Sequence, residues 1–245
     1  MFRRFLILLA GSGAVLACSS QPLNEAGAGG DSAGGSAATL GSGGAVGANG
    51  GSGAGGAALP SLSRADYPSG PYGHGVGAVI PNLSFLGWRK PADSNYDVAK
   101  LEVVSLSDFY NPNGTAGAPR ILALNASAVW CTVCRAEYRQ FQTSNTYDTY
   151  RPKGVEMLGL LFQDNNYGPA KPADLARWGG DTGFSVKFPL ALDPSFKIGQ
   201  FFASDATPLN LLIDTSDMRI LKVTMGYDSS DPQAYWTAIE KWLAQ

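Results

Sequence analysis

Two cysteines three positions apart, Cys131 and Cys134, stand in the stretch NASAVWCTVCRAEY (125–138). Trp130 precedes them, and Arg135 and Glu137 follow. Elsewhere the chain has one cysteine, Cys18, and one histidine, His74. A pair at this spacing can clamp a metal, close a small disulfide or exchange electrons with other thiols. A tetrahedral zinc site needs four ligands, commonly two such pairs or a pair with histidines. A copper-assembly site wants a histidine after the cysteines. Neither set can be completed here, so no metal and no other cofactor is expected. A structural staple is a real competitor in an exported chain, although a disulfide closing so short a loop removes little entropy from the unfolded state. The expected chemistry is thiol–disulfide exchange: a thiolate attacks a disulfide and a mixed disulfide forms on the way.

Such chemistry needs a stabilised thiolate. RILALNA (120–126) is a compact apolar run of the kind that makes a buried parallel strand. CRAEYRQFQ holds good helix formers and no proline, which predicts a helix from about Cys131 to Tyr147. Cys131 then sits at a helix start, where unpaired backbone N–H groups carry partial positive charge and favour the sulfur anion. That placement is expected to leave it open to an incoming protein, with Cys134 one turn on.

The other elements follow the same reading. The Gly/Pro-rich residues 66–92, around the apolar run Val76 to Trp88, give a loop and an N-terminal strand laid against the core, and KLEVVSLSDFY (100–110) a strand running into a short helical turn. GVEMLGLLFQD (154–164) is a second buried strand, and PADLARWGGDTG a helix with proline in its first turn and glycines at its end. FPLALD (188–193) is a short strand and PSFKIGQFF (194–202) a short helix. PLNLLID and MRILKVTMGY form a hairpin about the turn 215–217. DPQAYWTAIEKWLA (231–244) is an amphipathic helix with Asp231 as N-cap and Pro232 as its first residue. This order predicts an α/β fold: a central mixed sheet with helices on both faces.

Before the domain comes a different kind of chain. Arg3 and Arg4 precede an apolar run from Phe5 to Ala17, the layout of an export signal peptide (1–17). Its end, Val15-Leu16-Ala17-Cys18, resembles a bacterial lipobox. That resemblance implies that Cys18 becomes a lipidated N-terminus and a membrane anchor. Residues 18–60 are then the lipidated cysteine and a Gly/Ala/Ser-rich disordered linker. Such a segment buries too little apolar surface to offset the entropy of ordering it, and 40 residues of it reach roughly 35 Å. Ser19 after the anchor implies the outer membrane if the envelope is Gram-negative. Residues 61–245 remain as one domain. With 18 Lys+Arg against 20 Asp+Glu and no basic stripe, a nucleic-acid partner is excluded.

LNASAVWCTVCRAE resembles the active-site segment of the thioredoxin-like TlpA/ResA family, exported membrane-tethered thiol–disulfide oxidoreductases of the redoxin group. FPLALDPSFKIGQFFASDATPLNLLIDTSDMRIL resembles the family's stretch ending in Thr-Pro before a strand, and the likeness covers most of Pro81 to Gln245. It implies a thioredoxin-like fold, Cys131 as attacking thiol and Cys134 as resolving thiol. It implies a cis Pro208 against the disulfide and a Thr207 backbone offered to an extended substrate strand, with Trp130 beside them. Glu137 matches an acidic residue that tunes the cysteines, and Asn125 falls where thioredoxin has a buried Asp. The implied partners are client proteins with thiols or disulfides and a membrane or soluble electron donor. The sequence departs from the family at Thr132 and Val133 between the cysteines, at Arg139 in place of a helix-kinking proline, and at Asp217 in place of a turn glycine.

Two other functions compete. A peroxiredoxin-like thiol peroxidase needs Pro-x-x-x-Thr/Ser-x-x-Cys. Counting back from Cys134 puts Cys131 and Ser127 in those places, and from Cys131 puts Ala128 and Leu124, so neither frame fits. The other is a surface lipoprotein that uses the fold for binding, with the disulfide as a staple.

Overall fold

The computed structural model describes residues 67–180 and 183–244, together with the backbone of 18–19. The expected signal peptide, the expected linker beyond Ser19 and the side chain of Cys18 lie outside the described residues.

The strands are β1 (Cys18–Ser19), β2 (Ser84–Trp88), β3 (Glu102–Ser105), β4 (Ile121–Ala128), β5 (Val155–Gln163), β6 (Leu190–Leu192), β7 (Ala206–Thr207), β8 (Leu209–Asp214) and β9 (Ile220–Met225). The helices are α1 (Thr132–Thr143), α2 (Thr146–Tyr150), α3 (Pro172–Gly179) and α4 (Ala234–Leu243), with short 3₁₀ turns at Leu106–Phe109 and Lys197–Phe201. Seven strands form one sheet in the order β3-β2-β6-β5-β4-β8-β9. β4, β5 and β6 run parallel, and the flanking pairs are antiparallel. The mixed sheet is therefore the expected one.

Its two central strands are apolar runs because both of their faces are covered. Every residue of β4 and β5 is buried. On one face lie α1, α3 and α4: the Tyr138 ring meets Trp178 at 5.0 Å, and Phe141 meets Trp236 at 5.7 Å. On the other, Phe162 of β5 packs against Phe196 and Phe202, which bracket the Lys197–Phe201 turn, at 4.7 and 5.9 Å. Gly159 of β5 is required by α1, because a Cβ there would stand 2.3 Å from the Tyr138 hydroxyl.

Two local expectations are corrected. The helix after the cysteines does not run to Tyr147. It ends at Thr143, and Asn145 adopts a left-handed conformation (φ 47°) before α2 restarts at Thr146. Asn tolerates that conformation better than other side-chain-bearing residues. The last helix begins at Ala234 behind Gln233, not at Pro232 behind Asp231. The Asp231 carbonyl instead accepts the Ala234 N–H in a preceding turn. In the β8–β9 hairpin the left-handed residue is Met218 (φ 58°), while the Asp217 carboxylate accepts from the backbone N–H and guanidinium of Arg219.

Candidate redox site

β4 leads into the site and α1 leads out. A register shift at Ser127/Ala128 ends the β4–β5 ladder, and Val129 N–H then donates to the Gln163 carbonyl. The Arg135 side chain reaches back to donate twice to the Val129 carbonyl (3.0 and 2.8 Å), fixing the entry loop to the first turn of the helix.

Cys131 is the N-cap of α1. It is disulfide-bonded to Cys134, with Cα atoms 5.3 Å apart. Two donors converge on the Cys131 sulfur: the Cys134 backbone N–H at 3.0 Å and the Thr207 hydroxyl at 3.2 Å. A helix start and two donors together are the surroundings that favour a thiolate once the bond is reduced. The Thr207–Pro208 peptide is cis. Trp130, next to Cys131 in the chain, is half-buried. Its indole N–H donates to Gln163 Oε1 (3.0 Å), and its ring meets the exposed Tyr167 at 5.1 Å.

The expected openness of Cys131 is corrected: both sulfurs are fully buried. Thr207 stands against the Cys131 sulfur, and on that same residue the chain lays its own strand. β1 pairs antiparallel with β7, with Cys18 opposite Thr207 and Ser19 opposite Ala206.

Behind the pair is a buried polar cluster. Glu137, one helical turn beyond Cys134, is 4 % exposed. Its Oε2 accepts from Asn125 Nδ2 at 2.6 Å and its Oε1 from Asn210 Nδ2 at 2.8 Å. Asn125 Nδ2 also donates to Asn210 Oδ1 (2.9 Å), and the Ser127 hydroxyl donates to Asn125 Oδ1 (2.8 Å). Burial pushes the Glu137 carboxyl up to about 8, against the pull of the Asn210 and Asn125 donors. Cys131, Cys134, Trp130, Thr207, Pro208, Glu137 and Asn125 thus gather within one region, between the start of α1 and β4, β7 and β8. Sequence reading missed Asn210, Ser127, Gln163 and Tyr167. The signal for Asn210 was present, a lone amide inside the apolar run PLNLLID, since a buried polar residue is the informative exception in a core strand. No group of three or more His, Cys, Asp or Glu that could hold a metal occurs among the described residues.

No protein-family profile matches the chain, and no curated protein matches it. Solved structures do. A crystal structure named as a thiol:disulfide interchange protein DsbE, from Chlorobium tepidum, is similar with a TM-score of 0.52 and 20 % identity, over 70 % of this chain and 99 % of that one. A solution structure named as a protein disulfide isomerase, from Bacteroides thetaiotaomicron, has a TM-score of 0.51 and 19 % identity, over 69 % of this chain and 91 % of that one. The fold is thioredoxin-like. At these identities the likeness speaks for the fold alone.

Proposed function

We propose that this chain is an extracytoplasmic thiol–disulfide oxidoreductase of the TlpA/ResA kind, held to a membrane through lipid on Cys18. The observation that carries the reading is the Cys131–Cys134 disulfide at the start of α1, with the Cys134 N–H and the Thr207 hydroxyl on the Cys131 sulfur. The names of the two similar structures agree with it.

In the reduced protein, the Cys131 thiolate attacks a client disulfide. A Cys131–client bond forms and one client thiolate leaves. The Cys134 thiolate then attacks the Cys131 sulfur, restoring the intramolecular disulfide and releasing the second client thiolate. Two electrons pass to the client, and a dithiol donor must return them for another cycle. The positive end of α1 and the two donors on the sulfur favour the Cys131 anion, and burial works against them. Thr207, on the sulfur, and Trp130, next to Cys131 in the chain, are the proposed client contacts, with Pro208 following Thr207.

The buried state of Cys131 is compatible with this chemistry if β1 occupies the edge that a client must take. Insertion of a lipidated Cys18 into a membrane would draw β1 off Ala206–Thr207 and leave that edge to an extended client segment. No helix among the described residues is long and apolar enough to cross a membrane.

The test is reduction of a protein disulfide by the pure protein under excess dithiol. Turnover is expected, and a variant lacking residues 1–60 should be faster by about two- to tenfold, the worth of one or two competing backbone hydrogen bonds. The staple reading draws on the burial of both sulfurs and expects no turnover from either form.

A further inference from the structure

Asn125, Gly159 and Asn210 lie side by side across three strands: Asn125 of β4 is the register partner of Gly159 on β5 and of Asn210 on β8. Residues directly opposite one another in a sheet share a face, and the Asn side chains meet Glu137 of α1, so this is the face that α1 covers. Gly159 contributes no side chain to the row. Asn125 and Asn210 contribute amides, and each amide turns its NH₂ toward a different oxygen of Glu137.

The hydrogen bonds run in one direction. Ser127 donates to Asn125, Asn125 donates to Asn210 and to Glu137, and Asn210 donates to Glu137. Every bond ends on an acceptor, and the carboxylate receives at both oxygens. Donors on both oxygens match a charged carboxylate. A neutral carboxylic acid would carry a proton on one oxygen and need an acceptor there. Asn210 can offer its Oδ1 only by turning its amide over, which gives up the bond it accepts from Asn125. The orientation of Asn210 is therefore tied to the charge on Glu137.

We propose that Asn210 is a positioning residue: from the strand that follows Pro208, its amide favours the charged form of the Glu137 carboxyl against the pull of burial, one helical turn from Cys134, and so tunes the thiol pair. The inference about the carboxylate stands on geometry alone, and the effect on the thiols rests on the redox reading above. The other titratable groups facing Glu137 are tyrosines: Tyr138 on α1, Tyr227 after β9 and Tyr235 on α4. All three hydroxyls are pushed up, mainly by burial, with the Glu137 charge adding to it. They remain uncharged where Glu137 titrates, so Asn210 acts against a background that does not change. Burial opposes the two amides and sets the carboxyl near 8 with both in place.

The experiment is the titration of the Glu137 carboxyl carbon by NMR in the full chain, in wild type and in Asn210→Leu, with the disulfide intact. Leucine has nearly the shape of asparagine and no donor. The midpoint is expected to move up by about one pH unit or more, the effect of one lost hydrogen bond to a charge. In wild type, the side-chain amide signals of Asn210 should titrate with the same midpoint as the carboxyl. This second measurement decides the matter if the variant fails to fold. An unmoved midpoint in the variant, or Asn210 amide signals that stay constant while Glu137 titrates, would overturn the proposal. Neither readout requires exchange activity, so a failure here is distinct from a failure of the proposed function. In the reduced protein, the pH profile of Cys134 alkylation should shift in Asn210→Leu and stay unchanged when Asn210→Leu is added to Glu137→Gln. A Cys134 shift that persists in the Glu137→Gln background would contradict an action through Glu137.

Discussion

Cys131→Ser is expected to remove disulfide exchange by at least about a thousandfold, because it deletes the nucleophile on which every later step depends. Cys134→Ser should do something different. The Cys131 thiol in that variant can still attack, since it keeps its place at the start of α1 with the Thr207 hydroxyl against it. What it loses is the sulfur 5.3 Å away, Cα to Cα, that would release the client. The mixed disulfide should therefore accumulate to a large fraction of the protein. Non-reducing electrophoresis and mass spectrometry of the linked peptide would show it on Cys131. A Cys134→Ser protein that carries no client, while a Cys131→Ser protein does, would reverse the assigned roles.

The second large effect is in stability against pH. Glu137 titrates near 8 in the folded chain and at the ordinary value of 4.5 when exposed. Between those values the folded state binds a proton that the unfolded state has lost. Stability therefore declines as pH rises through this window, by at most about 1.4 kcal/mol per unit. The whole loss is on the order of 3 to 5 kcal/mol; it is absent below the unfolded value and complete above the folded one. Glu137→Gln cannot ionise and should abolish this slope. It also sets an NH₂ against amide donors, so it should be less stable than wild type at low pH and more stable at high pH. Urea unfolding at pH 5 and pH 8.5 measures both. A wild-type midpoint that does not fall between those values would show that Glu137 is charged throughout.

Much of this was legible from residue types. The runs RILALNA and GVEMLGLLFQD declared themselves as buried parallel strands because their apolar residues follow one another without the alternation of a half-exposed strand. The cysteine spacing and the absence of prolines from CRAEYRQFQ placed Cys131 at a helix start. The helix end was not legible. Asn145 stops α1 by its backbone conformation, and no apolar periodicity marks that. The cage around Glu137 was half legible. Asn125 stood out within β4, but its partnership with Asn210 depends on the register of β4 against β8, which joins residues far apart in sequence. The burial of Cys131 was not legible either, because Thr207, which stands against its sulfur, is 76 residues away in sequence.

The account rests on the sulfur at the start of α1 becoming an anion that a partner can reach. Iodoacetamide labelling of the reduced protein across pH 5 to 10, with each cysteine followed by mass spectrometry, tests this in the full chain and in the form lacking residues 1–60. Cys131 should label before Cys134, with a midpoint below the free-thiol value of about 8.5, and faster in the shorter form. Labelling of Cys134 first, or no labelling of Cys131 in either form until the protein unfolds, would contradict the account.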